Sequence, residues 1–86
     1  MEPHLIATQT VAINDIYVPV KRKRKLDPAK VDTIAESILD KGQRIPIQVR
    51  QDDSRLVLVE GLHRLEACRA LGEDSIKAIF VQARKF

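Results

Sequence analysis

The chain has 86 residues, enough for one domain with a single modest core between two layers. Its formal charge is only +3, its hydrophobic fraction of 44% is that of an ordinary globular domain, and no apolar run approaches the roughly eighteen residues that span a bilayer. Three aromatics (Tyr17, Phe80, Phe86), one cysteine (Cys68) and two histidines (His4, His63) argue against a base-stacking platform and a zinc centre, and a lone cysteine excludes an internal disulfide.

Further expectations follow. A single domain over residues 1–86, with residues 1–9 flexible, no resident metal and no membrane contact, fits this composition. The first ten residues lack a secretory apolar core, so a reduced, cytoplasmic setting is the default. A core this small leaves room for a homo-oligomer.

The basicity is local. Lys21-Arg22-Lys23-Arg24-Lys25 holds five of the fifteen cations, and outside it ten cations meet twelve carboxylates. In chain order, Met1 to Thr10 carries little pattern. Val11, Ile13, Ile16 and Val18 give two short alternations broken near Asn14-Asp15, read as a strand with a turn in it, and Pro19 ends it. The basic run then lies in a connecting loop. It is either a solvated, self-repelling segment or a contact for phosphates, whether of a nucleotide or of a nucleic-acid backbone.

Asp27-Pro28 opens a helix as cap and first residue. Val31, Ile34, Ala35, Ile38 and Leu39 form its apolar stripe, and Gly42 closes it. Lys30, Thr33 and Ser37 share a neighbouring polar stripe. That stripe is either the wet side of the helix or a set of donors for ribose and phosphate oxygens. Ile45 to Arg50 alternates as a strand, Gln51 to Ser54 is a polar turn, and Arg55 to Glu60 is the next strand, paired with the first as a hairpin or set apart from it. A second helix follows, with Leu65, Ala67, Cys68, Ala70 and Leu71 facing the sheet, then a strand over Ser75 to Val81. The order β-α-β-β-α-β predicts an α/β (α+β) domain with two main helices packed on a small mixed sheet.

Glu60-Gly61-Leu62-His63-Arg64 joins the end of a strand to the start of the second helix. A glycine there lets the backbone approach a bound group, and a helix start offers unpaired N–H groups and the positive end of a dipole. His63 and Arg64 add two cation-capable side chains. The pattern is also that of an ordinary turn with solvated first-turn residues.

In the same order, Leu26 to Val31, Gly61 to Arg64 and Ala78 to Gln82 resemble sulfiredoxin. Ile34 to Ile38 with Gly42, Pro46 to Arg50 and Gly61 to Arg64 resemble the N-terminal domain of ParB partition proteins. The two families share a fold, and the resemblance covers about Ile13 to Gln82. It implies that Gly61, His63 and Arg64 bind the phosphates of ATP or ADP with Mg²⁺, and that Lys30, Thr33 and Ser37 help hold the nucleotide. Leu62 occupies the position of sulfiredoxin's attacking cysteine, so sulfinic acid reduction is not expected.

The ParB motif carries a glutamate and an arginine where this chain has Leu62 and His63. With the chain ending at Phe86, sequence-specific DNA reading and clamp formation are not expected from it. The run Lys21 to Lys25 matches the basic loop before the first helix of ParB-like domains. Serine kinases of the superfamily use a helix-one carboxylate, which makes Glu36 a candidate base; Glu60 is the other candidate base or metal ligand. The expected function is nucleotide binding with phosphoryl transfer or ATPase activity; the alternative is a ParB-like DNA-binding module or accessory nuclease.

Overall fold

The computed structural model describes residues 7–82. Five strands and three helices follow one another: β1 (Gln9–Ala12), a 3-10 turn (Ile13–Asp15), β2 (Ile16–Tyr17), α1 (Val20–Lys23), α2 (Pro28–Lys41), β3 (Ile47–Asp52), β4 (Arg55–Glu60), α3 (Leu62–Ala70) and β5 (Ser75–Phe80). The sheet order is β1-β5-β3-β4-β2, with β3/β5 and β2/β4 parallel and the other pairs antiparallel. The expected α/β class with a small mixed sheet is the one found.

The segment read as one strand with a turn is two strands at opposite edges of the sheet. Ala12 pairs with Ser75 on β5, while Ile16 pairs with Leu56 on β4. The four residue steps between them span at most about 14 Å. The sheet therefore curls until its edges nearly meet. Ile13 and Ile16 turn inward across the gap, and the Ile13 N–H donates to the Asp74 carbonyl at 3.0 Å. The expected flexible stretch through residue 9 falls mostly on residues outside the described ones, but β1 already begins at Gln9, and Thr10 belongs to it.

A second correction concerns the basic run. Instead of a loop, Val20–Lys23 forms one helical turn begun at Pro19, whose carbonyl accepts from Arg22 N–H (3.0 Å) and Lys23 N–H (3.2 Å). Lys and Arg are good helix formers, and cations in the last turn suit the helix dipole. Arg22 also gains a carboxylate partner, Glu60, at 3.2 Å.

A third correction concerns α2. Asp27 caps it by accepting the Ala29 N–H at 3.0 Å, Pro28 is its first residue, and Gly42 ends it, all as expected. It rests mainly on α3 rather than on the sheet, however, and none of its residues is fully buried. Leu39 is 74% exposed. Eight residues past Val31, it is turned about 80° from it at 100° per residue, which carries it off the covered edge. α3 sits between α2 and the sheet and buries Leu62, Leu65, Ala67 and Cys68; Ala70, expected inside, is exposed.

β3 and β4 form the hairpin, closed by Asp53 and Ser54, with Asp53 at φ +53°. β3 begins at Ile47, two residues later than expected. Pro46 has no N–H to give a ladder, and Ile45 lies outside the strand and exposed. In place of the missing residues, the Gln43 side chain exchanges two hydrogen bonds with the backbone of Lys77, donating to the carbonyl at 2.9 Å and accepting the N–H at 2.8 Å, and donates a third to the Ile45 carbonyl at 3.1 Å. A side-chain amide thus extends β3 by one backbone-like pair. Gln43→Ala is expected to cost about 1–2 kcal/mol. A thermal melt should show a drop of roughly 5–15 °C.

Candidate functional site

The start of α3 is pinned to the sheet. Gly61 has φ +111°, and a Cβ built on it would lie 2.6 Å from Ile47 Cγ2. Its carbonyl accepts the Leu65 N–H at 2.9 Å, the first bond of the helix. No side chain caps this end, and among the described residues no hydrogen bond uses the N–H groups of Leu62, His63 or Arg64. Three donors and the positive end of the dipole are therefore available.

They open into a cleft of ≈ 370 Å³. It is lined by Glu60, Gly61, Leu62, His63 and Arg64 from the end of β4 and the start of α3, by Arg22 and Lys25 from α1 and the turn after it, and by Ile34 of α2. Of the expected site residues the fold thus brings together Arg22, Lys25, Glu60, Gly61, His63 and Arg64. Lys21, Lys23 and Arg24 are exposed and line none of the clefts described here. Lys30 and Thr33 border a separate shallow depression on α2 that shares Ile34 with the main cleft. Thr33 donates its hydroxyl to the Ala29 carbonyl at 3.1 Å. Ser37 and Glu36 lie further along α2, exposed. Glu36, two residues past Ile34, is turned about 200° from it.

Charge in the cleft is arranged in pairs and singles. Arg22 Nη1 meets Glu60 Oε1 at 3.2 Å, with 41% and 66% of the two side chains exposed. A pair this open is worth little and is easily exchanged. Arg64 has no carboxylate within ion-pair distance among the described residues. His63 is engaged: its Nε2 accepts the backbone N–H of Asp27 at 3.0 Å. Nothing in the sequence signals either the Arg22–Glu60 pair or this histidine bond, which join residues 38 and 36 positions apart. Ile34 and Leu62, the apolar part of the lining, also went unread as site residues.

Leu62 is 7% exposed and belongs to the core. Cys68 is 3% exposed, and burial pushes its thiol up from the ordinary value, with the Glu73 carboxylate adding to the effect and Arg64 opposing it. A thiol held protonated and out of solvent is a poor nucleophile. Among the described residues no group of three metal-binding side chains occurs, and no helix is long and apolar enough to cross a membrane.

The family model for the ParB N-terminal domain matches residues 3–85. The chain belongs to this family. Among solved structures, sulfiredoxin from Arabidopsis thaliana superposes with a TM-score of 0.80 at 28% identity, over 90% of this chain and 86% of that one. The C-terminally truncated chromosome-partitioning protein ParB from Caulobacter crescentus, complexed with CTP-gamma-S, gives 0.77 at 19% identity, over 92% of this chain and 46% of ParB. A free serine kinase variant complexed with ADP gives 0.74 at 14% identity, over 86% of this chain and 30% of the kinase. At those last two identities the likeness is one of fold, and this ParB-like domain spans less than half of either chain. No curated protein matches the chain. The ParB/sulfiredoxin fold expected from the motifs is the fold observed, and its neighbours include structures that hold nucleotides.

Proposed function

We propose that this domain binds a nucleotide, ATP or ADP with Mg²⁺, by its phosphates, and transfers or hydrolyses the terminal phosphoryl group. One observation carries the reading: the uncapped start of α3, set on the αL glycine Gly61, opens beside Arg64, Arg22 and Lys25 in a single cleft. Phosphoryl transfer asks a protein for positioning and charge neutralisation, and those are what these groups supply. The nucleotide complexes of the ParB and serine kinase neighbours support it.

In this reading the Leu62, His63 and Arg64 amides take phosphate oxygens, and Arg64, Arg22 and Lys25 offset their charge. Lys30, Thr33 and Ser37 serve the sugar end along α2. Glu60, the one carboxylate in the cleft lining, would leave its exposed pairing with Arg22 to meet Mg²⁺ or to accept a proton. One carboxylate fits that ion, which is commonly held by one or two carboxylates together with phosphates and water. When bound, Mg²⁺ supplies charge neutralisation across the phosphates. Glu36, carried over as a candidate base, faces away from the wall that Ile34 forms. With Leu62 in the core and Cys68 buried, thiol chemistry has no reagent here, so sulfinic acid reduction is not part of the function. The lone unpaired cysteine suits a reduced, cytoplasmic setting.

The test is calorimetric titration with ATP, ADP and CTP in Mg²⁺, then a phosphate-release assay on the same sample. Saturable binding with slow release is expected. Failure of all three nucleotides to bind contradicts the proposal. A second reading, a DNA-binding module, is favoured by Lys21, Lys23 and Arg24, which are exposed on and just after α1, outside the cleft. It requires duplex affinity that falls steeply with salt and weakens when these three are neutralised. Undetectable binding at low salt removes it.

A further inference from the structure

We infer that His63 is a positioning residue, a latch that fixes the start of α2 against the start of α3, rather than a ligand for the phosphates. The observation is the bond from the Asp27 N–H to His63 Nε2 at 3.0 Å. A ring nitrogen that accepts carries a lone pair, so in the neutral ring the hydrogen sits on Nδ1. Nε2 cannot then donate to an anion, and an anion that drew a hydrogen onto it would release Asp27; the Nδ1–H is the one donor left on the ring, and in a latch it stays off the phosphates when nucleotide binds.

Asp27 is committed in every direction. Its carboxylate accepts the Ala29 N–H, its carbonyl accepts the Val31 N–H at 3.1 Å, and its own N–H goes to the imidazole. The cap of α2 is thereby tied to the first turn of α3. α2 needs such a tie. It has no fully buried side chain and leans mainly on α3, with Ile38 packed against the core cluster, so a directional contact at its start adds to a packing that is only partial. Its position in turn sets the Ile34 wall of the cleft and the approach of Lys30 and Thr33. His63 acts on a bound nucleotide through α2; Arg64 and the amides touch it.

The latch can be read without ligand; only the last arm of the test rests on the nucleotide reading. In the ¹⁵N-labelled full chain, ring nitrogen spectra should show the hydrogen on Nδ1. Amide exchange at Asp27 should quicken about 3- to 10-fold in His63→Ala, the worth of one ordinary hydrogen bond. His63→Gln, whose Oε1 can accept the same N–H, should restore it. Adding Mg²⁺-ATP should leave the ring and the Asp27 amide unchanged, and the Gln variant should bind far closer to wild type than Arg64→Ala does. A hydrogen found on Nε2, or unchanged exchange at Asp27 in His63→Ala, overturns the latch. Release of Asp27 on adding nucleotide, or loss of affinity in His63→Gln equal to that in Arg64→Ala, overturns it too, by putting the imidazole on the phosphates. If no nucleotide binds at all, the functional reading fails while the first two measurements still decide the latch.

Discussion

Gly61→Ala should lower the melting temperature by roughly 15–30 °C. Two independent costs combine. An L side chain at φ +111° is held outside the region it adopts, which costs of order 1–3 kcal/mol. The new Cβ also meets Ile47 Cγ2 at 2.6 Å and Ile47 Cβ at 2.9 Å. Ile47 is 1% exposed and begins β3, so it cannot swing away, and relieving the overlap costs a further 1–3 kcal/mol or so. Together these come to about 2–6 kcal/mol, a large part of the stability of a small domain. Gly72→Ala is the control: it also has positive φ, +81°, but no atom lies within 4 Å of its Cβ. It should cost only the backbone term, about 1–2 kcal/mol. Equal melting temperatures for the two variants would mean that α3 is not pressed on β3 at Gly61.

Arg64→Ala should weaken Mg²⁺-ATP binding about 10- to 100-fold, as expected for loss of a charge-assisted contact worth about 1.5–3 kcal/mol. Of the cleft cations, Arg22 is already shared with Glu60 and Lys25 follows α1, whereas Arg64 stands on the same helical turn as the open amides. It is half-buried, so its charge is less screened than that of the exposed lysines. The fold should survive, since Arg64 is outside the core cluster. Arg64→Lys should recover part of the loss, because a point charge replaces a planar fork. Lys21→Ala, outside the cleft, should change affinity less than about threefold. Unchanged affinity in Arg64→Ala would remove this residue from the site.

What could be read in advance was what local chemistry dictates. Asp27-Pro28 and Gly42 delimited α2 because a cap bond, a ring-fixed φ and a positive φ act within one turn of the chain. The polar turn between two alternating strands was legible for a similar reason, but whether the strands paired across it or sat apart in the sheet was not. The split of residues 9–17 between the two edges of the sheet was not legible: alternation in Val11, Ile13 and Ile16 is the same whether the partner is β5 or β4. The short helix of the basic run was hidden because one turn shows no periodicity, and one of its contacts, Glu60, lies 38 residues away.

The site divides along the same line. Gly61 and Arg64 were visible as a glycine before a helix start. That Lys25 joins their cleft while Lys30 borders a separate depression depends on how α2 leans on α3. So does the engagement of His63 by Asp27, which changes its role from the one its position in the motif suggested.

The central claim is that the open start of α3 receives a nucleotide's phosphates. It is tested most directly by following the backbone amide resonances of the full chain during titration with Mg²⁺-ATP. The largest shifts should fall on Leu62, His63 and Arg64, with smaller ones at Arg22 and Lys25. Shifts confined to Lys21, Lys23 and Arg24, or none at the start of α3 at saturating nucleotide, would contradict it.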